Sequence, residues 1–350
     1  MAEKFIPAIT ETDPDLLRMM RGIAVGSGQN LNSILALNCR SEILPPDYSD
    51  KSKYDSKRAN RENIAAGFEN WIKDDFSIPE DGECTSLVCS PEASAEGNTW
   101  FCQNWDWVGR QREALVILTT KTKDGESLQT LTEAGMLAKI GFNGHGFALG
   151  LNILRSVKDG SKPGVPVHVI LRNLLECRTV DKAREEMDRL ARIGFAASSN
   201  IPVADATGDV ACFEITPDGW AELKPDKGLV THTNHFLCQE FESIQTKLNP
   251  ISSTIPRINK ARELTAGKKL GFEDLKTFLC DESEGYKSIC RSPDPAHSPT
   301  ESSESVAGII IDVTDRKWWI APGIPSKSEF AKVSISRVAY PNPDHRIFRQ

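Results

Sequence analysis

Cys84-Thr85-Ser86-Leu87-Val88-Cys89, read with Gln103-Asn104-Trp105-Asp106-Trp107 after it, decides how this chain folds. The first run follows a polar, proline-containing stretch and reads as a β-strand that begins on a thiol. The second reads as the next strand and carries a carboxylate. Together they suggest a nucleophile that becomes the first residue of a new chain. Cleavage before Cys84 would free an α-amine, with a pKa of about 8, beside the thiol it can serve as base. Such a nucleophile needs no histidine partner. A free cysteine is also commonly a buried, inert thiol, and spacing alone leaves both readings open.

The bulk numbers narrow the classes. With 350 residues the chain can bury a sizeable core, and 39% hydrophobic with 26% charged residues is ordinary for a soluble globular protein. The net charge of −7 and the lack of a long basic run argue against binding to nucleic acid or to an anionic membrane. No apolar run approaches the roughly twenty residues needed to span a bilayer. Met1-Ala2-Glu3-Lys4-Phe5 has neither the basic region nor the apolar core of a secretory signal, and Arg346-Ile347-Phe348-Arg349-Gln350 is not a peroxisomal tripeptide. The expected compartment is the cytoplasm. Nine cysteines, odd in number and without a disulfide rhythm, agree with it. Cys84 and Cys89 lack paired histidines at zinc spacing, so no metal is expected.

Apolar periodicity predicts helices over 14–44, with a break at Gly26-Ser27-Gly28. Residues 45–63 read as a solvated loop, and 64–73 as a short helix. Strands are predicted at 84–90, 100–108, 113–122, 127–133, 137–142 and 146–154, joined by turn signals such as Lys123-Asp124-Gly125. Helices follow at 166–177 and 180–192, the second capped by Thr179. Further strands are predicted at 193–200, 209–216, 219–224 and 229–237. Helices at 256–266 and 273–280 precede a loop at 292–304 and a hairpin of 306–313 with 317–321. Two antiparallel strand groups separated by helices suit an α+β layered fold.

The strings Glu83-Cys84-Thr85-Ser86, Gln103-Asn104-Trp105-Asp106, Thr132-Glu133-Ala134-Gly135, Lys139-Ile140-Gly141-Phe142-Asn143 and His232-Thr233-Asn234-His235 occur in that order. In that order the chain resembles the acyl-coenzyme A:isopenicillin N acyltransferases of filamentous fungi, a family of N-terminal-nucleophile hydrolases of the C45 peptidase type. Arg21-Gly22-Ile23-Ala24 and Leu37-Asn38-Cys39-Arg40 upstream, and Ser288-Ile289-Cys290-Arg291 downstream, extend the resemblance. It implies a four-layer αββα sandwich with two stacked antiparallel sheets. It also implies self-cleavage into an α-chain, 1–83, and a catalytic β-chain, 84–350, that remain together as a heterodimer.

The resemblance assigns roles residue by residue. Cys84 is the nucleophile, first for cleavage of its own preceding bond. Asp106 orients the α-amine or a substrate amine. Asn234 stabilises the oxyanion with its side-chain NH₂. Arg291 supports Asp106 or a substrate carboxylate. Ser86, two residues after Cys84 on the same strand face, assists self-cleavage. Glu83 stands where the family usually has glycine. Trp105, Trp107 and Asn143 are expected to face substrate, although Asn143-Gly144 is also ordinary turn chemistry. His232 and His235 read as structural.

The expected reaction is acyl or amide transfer through a thioester on Cys84. The expected small-molecule substrates are β-lactams (isopenicillin N, 6-aminopenicillanic acid) and an acyl-coenzyme A, with coenzyme A a substrate and not a cofactor. The absent peroxisomal tripeptide points to a cytoplasmic fungal paralogue. Hydrolysis of another N-acyl amino acid or aminoacyl amide, or an unprocessed inactive paralogue, are the alternatives.

Overall fold

A computed structural model describes residues 1–43, 83–248, 252–293 and 302–333. In chain order its strands are β1 (Glu83–Cys89), β2 (Trp100–Val108), β3 (Leu115–Lys121), β4 (Ser127–Glu133), β5 (Ile140–Asn143), β6 (Phe147–Leu149), β7 (Asn152–Ile153), β8 (Ser199–Asp205), β9 (Val210–Thr216), β10 (Gly219–Leu223), β11 (Leu229–His232), β12 (Ser303–Asp312), β13 (Lys317–Pro322) and β14 (Ala331–Lys332). The helices are α1 (Ile6–Thr12), α2 (Pro14–Ser27), α3 (Leu31–Asn38), α4 (Arg40–Ile43), α5 (Val167–Leu174), α6 (Val180–Ile193), α7 (Thr254–Thr265) and α8 (Phe272–Leu279).

The strands form two antiparallel sheets. The first runs β11-β1-β2-β12-β13-β14, and the second β10-β9-β8-β6-β5-β4-β3 with β7 added to β8. Three buried layers follow from side-chain alternation along the strands. Val88, Phe101, Trp105 and Ile309 of the first sheet meet Leu131, Ile140, Phe142 and Cys212 of the second. The other face of the second sheet, with Phe147, Leu149, Val203 and Phe213, packs on α1, α2, α3, α5 and α6. The other face of the first, with Leu87, Cys102 and Ile310, packs on α7 and α8 through Ala261, Leu275 and Phe278. Helix, sheet, sheet, helix is therefore the layer order: an α+β, αββα sandwich.

Local chemistry sets the helix boundaries. Asp13 caps α2 by accepting from the Asp15 amide, and Gly28 ends it in the left-handed region. Thr179 caps α6 through the Lys182 amide, as its sequence suggests. Residues 2–12, for which no element was expected, are helical as well. The expected loop at 45–63 and helix at 64–73 lie outside the described residues, as does most of 292–304. The end of that expected loop belongs to β12, which starts at Ser303.

Three strand expectations need correction. The strand placed at 193–200 runs at 199–205 and carries Pro202 opposite Cys212, a residue that ordinarily argues against a strand interior. The strand placed at 146–154 is split into β6 and β7 around Gly150. A Cβ there would lie 2.0 Å from Gln103 Oε1, so only glycine lets the backbone pass the glutamine. The strand placed at 229–237 ends at His232. Glu214 accepts the Leu237 and Cys238 amides, and Thr254 Oγ1 accepts the Asn234 amide, so this backbone leaves the ladder. The departure delivers Asn234 to the head of β1.

Candidate active site

Cys84 lies near the start of β1, directly opposite Trp105 of β2, and is buried. Its backbone amide donates to Asn234 Oδ1 at 2.8 Å. Arg257 of α7 closes the arrangement. Its Nη2 donates to the same Asn234 oxygen at 2.8 Å, its Nη1 to the Cys84 carbonyl at 2.6 Å and to Thr85 Oγ1 at 2.9 Å, and its Nε to Ser253 Oγ at 2.8 Å. Asn234 Nδ2 donates to the Ile153 carbonyl at 2.9 Å, which leaves one of its two amide hydrogens for another acceptor. Cys84, Asn234 and Arg257 thus form one polar unit, drawn from β1, the segment after β11, and α7.

His232 and His235 hold this unit from behind. His232 Nε2 meets Glu214 Oε1 at 2.8 Å and its Nδ1 meets the Thr233 carbonyl at 2.8 Å. His235 Nδ1 meets Thr254 Oγ1 at 2.9 Å. Burial, with the His232 and Arg257 charges, holds the His235 ring down at about 4.

Asp106 lies one residue beyond the Cys84 partner. The indoles of Trp105 and Trp107 belong to the layer between the sheets, so alternation turns the intervening carboxylate to the opposite face of β2. Its desolvation comes from that buried face, and the neighbouring indoles of Trp105 and Trp107 do not wall it. Ser305 Oγ of β12 donates to Asp106 Oδ1 at 2.6 Å, while Oδ2 has no hydrogen-bond partner among the described residues. Burial raises the carboxyl to about 7, with the Arg257 charge and the Ser305 bond pulling it down. The Asp106 backbone amide in turn donates to the Cys84 thiol, which burial pushes up to about 11 against the pull of Lys139.

Arg291 approaches through its backbone. Its amide donates to Ser305 Oγ at 2.9 Å and its carbonyl accepts from the Ser305 amide at 2.9 Å. Ser305 therefore links Arg291 to Asp106.

Ser86 sits one strand repeat from Cys84 and accepts from Asn152 Nδ2 at 2.7 Å. Asn152 also bonds Gln103 and Asn200, so Ser86 is part of a buried amide network below the thiol. Asn143 is not brought to the site. Its Nδ2 donates to the Leu175 and Cys177 carbonyls, and its Oδ1 accepts from the His145 and Phe147 amides. All of its polar atoms secure the β5–β6 turn against the end of α5, which is the turn chemistry its sequence allowed. Glu83 continues β1 without a break, its backbone opposite Asp106.

Sequence reasoning gave no role to Arg257, Lys139, Glu133 or Arg40. The signal for Arg257 was a charge on the apolar stripe of a predicted helix, in line with Ile258 and Ala261. The other three stand in strings quoted above. Glu133 takes both Nη atoms of Arg40 and also Gln111 Nε2. Lys139 Nζ lies 3.7 Å from Glu133 and 3.6 Å above the Trp105 ring. Arg40 lies 5.1 Å over the Trp107 ring. The two tryptophans thus carry this cationic pair on the thiol side of β2. Burial opposes the Glu133 charge, but Arg40 and Lys139 together bring its carboxyl down to about 2.

The profile of the acyl-coenzyme A:6-aminopenicillanic acid acyl-transferase family matches residues 94–327. The chain belongs to this family. The matched part contains Asp106, Asn234, Arg257 and Arg291, and begins after Cys84, whose place therefore rests on the geometry above. A curated relative, the 40 kDa form of acyl-coenzyme A:6-aminopenicillanic-acid-acyltransferase from Emericella nidulans, is 30% identical over 250 residues, 70% of this chain. The match spans 66% of that relative. Among solved structures, a conjugated bile acid hydrolase from Clostridium perfringens aligns over 75% of this chain and all of its own, at 10% identity and a TM-score of 0.46. A penicillin V acylase from Agrobacterium tumefaciens aligns over 68% of this chain and 83% of its own, at 14% identity and a TM-score of 0.38. At these TM-scores neither adds to the layer order already described.

Proposed function

We propose that this family member is a cysteine N-terminal-nucleophile enzyme that cleaves itself before Cys84 and then transfers acyl groups through a Cys84 thioester. The observation that carries the reading is the fixed Cys84 backbone nitrogen. Cleavage would turn that amide into an α-amine already bound to Asn234 Oδ1, next to the thiol that needs a base. The buried Asp106 Oδ2 offers an acceptor to the new amine or to a substrate amine. The second hydrogen of Asn234 Nδ2 supplies a donor for the tetrahedral oxyanion.

The chemistry balances in both directions. An amide substrate acylates Cys84 and its amine leaves with the thiol proton. Water then releases the acid, or a β-lactam amine takes the acyl group. An acyl-coenzyme A can load the same thiol, releasing coenzyme A. Isopenicillin N, 6-aminopenicillanic acid and acyl-coenzyme A are the proposed substrates, on the family membership and the name of the Emericella nidulans relative. The proposed setting is the cytoplasm.

The segment 1–83 would stay bound after cleavage. Asn38 donates to the Gly135 carbonyl and accepts the Leu137 amide, Arg40 is paired with Glu133, and Glu42 accepts the Val167 amide.

Denaturing electrophoresis of purified protein tests the first half: two fragments are expected, the larger beginning at Cys84, and a single band from Cys84→Ala. A wild-type chain that stays whole would sink it. Incubation with isopenicillin N and phenylacetyl-coenzyme A tests the second half. Penicillin marks transfer, free 6-aminopenicillanic acid marks hydrolysis, and neither product marks a different substrate.

A further inference from the structure

Self-cleavage has a difficulty that the mature reaction does not. In the uncut chain the Cys84 nitrogen is an amide, so the α-amine base does not yet exist. The thiol is buried and pushed up to about 11. Some other group must take its proton. His232 has both ring nitrogens engaged and His235 is bonded to Thr254. Arg257 is a guanidinium and cannot accept a proton. The Asp106 carboxyl is on the far face of β2, bound by Ser305.

Lys139 is differently placed. Residues directly opposite on antiparallel strands carry their Cβ atoms about 4.5–5.5 Å apart on one face, so the Trp105 ring lies alongside the Cys84 side chain. Lys139, 1% exposed, reaches across from the second sheet and sets its Nζ 3.6 Å above that ring and 5.6 Å from the Trp107 ring. Arg40 and Glu133 neutralise each other. A protonated Lys139 is then a surplus buried cation, and a Cys84 thiolate is the anion that would balance it.

We infer that Lys139 accepts the Cys84 thiol proton when the chain cleaves itself. The inference rests on the self-cleavage reading above. The proton passes from Sγ to Nζ, and Sγ attacks the Glu83 carbonyl carbon. The Glu83–Cys84 C–N bond then breaks, and the departing nitrogen takes the proton back from Lys139. Glu83 is left as a thioester on Sγ. Water hydrolyses it to the Glu83 carboxyl and the free thiol.

The electrostatics suit that role. Burial, then the Arg40 charge, lowers Lys139 to about 7, with Glu133 and Cys84 pulling it up. A base that titrates near working pH is the most effective kind. The groups facing it are Arg40 of α4, Glu133 of β4, Cys84 of β1, and His168 of α5. Burial, Lys139 and Arg40 push the His168 ring down to about 3, so it stays neutral. Asp106 of β2 acts on the same thiol.

The test uses the full-length chain and follows first-order appearance of the two fragments from about pH 5 to 9. The wild-type rate is expected to rise with pH, with a midpoint of about 7. Lys139→Met and Lys139→Arg are both expected to cleave about 10²–10⁴-fold more slowly and to lose that midpoint. Arginine keeps the charge over Trp105 but has no proton-accepting form. Wild-type cleavage by either variant overturns the inference while leaving self-cleavage intact. A wild-type chain that never cleaves removes the underlying reading instead. Should neither variant fold, as judged by thermal melting, the wild type still decides. An amine midpoint falls with warming, which supports Lys139. A carboxyl midpoint hardly moves, and a stationary value transfers the role to Asp106.

Discussion

The backbone nitrogen of Cys84 donates to the side-chain oxygen of Asn234 at 2.8 Å, across a sequence separation of 150 residues. The contact is to an oxygen, and an oxygen can accept equally from an amide N–H or from the ammonium that cleavage would create. The same atom accepts from Arg257. Under the proposed self-cleavage, one asparagine would position the nitrogen before and after the bond breaks, while its NH₂ would keep a hydrogen for the reacting carbonyl.

Removing that side chain should therefore damage catalysis more than folding. Asn234→Ala is expected to slow thioester formation by about 10²–10³-fold, the usual cost of one oxyanion donor. Stopped-flow acylation with an activated acyl thioester measures it. A rate within twofold of wild type, about experimental scatter on that scale, would remove Asn234 from the mechanism.

Arg257 should matter to stability as well. It is buried and donates four hydrogen bonds. Arg257→Leu removes the charged donor from the Cys84 carbonyl and leaves the Asn234 oxygen with the Cys84 amide alone, at a cost of about 1.5–3 kcal/mol. Urea unfolding reads this as a lower midpoint at unchanged slope. Arg257→Lys should not restore it, because a point ammonium cannot span the three partners on two elements that the fork reaches. Full recovery by lysine would refute the bridging role.

Asp106 carries a pH signature. Its folded value, about 7, lies above the ordinary 3.8, so the native state holds this proton longer than the unfolded chain does. Stability is then lost as pH rises from about 4 to about 7, and the loss is complete above that. Asp106→Asn has no such proton. Its melting temperature relative to wild type should climb across that window and level off beyond it. A flat difference would show that the carboxyl ionises normally.

Gly150→Ala tests the amide network under the thiol. The new methyl would collide with Gln103, whose Nε2 donates to the Leu151 carbonyl and to Asn152, the donor to Ser86. A loss of about 1–3 kcal/mol is expected from such overpacking, together with slower self-cleavage. Calorimetry and fragment kinetics check the two effects separately.

Much of this architecture is legible in the residues. The strand-like runs at 84–90 and 100–108 pair as β1 and β2, and the break at Gly26-Ser27-Gly28 separates two helices, because local patterning marks both. What the residues hide is non-local. Beyond His232 the backbone leaves the ladder, its Asn234 amide bound by Thr254, twenty positions later, and its Leu237 and Cys238 amides by Glu214, more than twenty positions earlier. Asp106 stands between Trp105 and Trp107 in the chain, yet adjacent residues of a strand face opposite ways. Asn143 looked available until its amide proved to be committed to α5. Arg257 and Lys139 escaped notice for a shared reason. Each is a charged residue whose partners lie on other elements, and nothing next to it in the chain announces them.

The placement of β12 has a temporal consequence. This strand lies between β2 and β13 and supplies Ser305 to Asp106, yet it is made from residues 303–312. A nascent polypeptide holding only the first three hundred or so residues has Cys84 but no finished centre around it. If the chain cleaves itself as proposed, cutting would wait until β12 has been made, and both pieces would be born already folded together. A chain terminated after Ser302 should accordingly remain a single species, and its spontaneous scission would show that the late strand sets no clock.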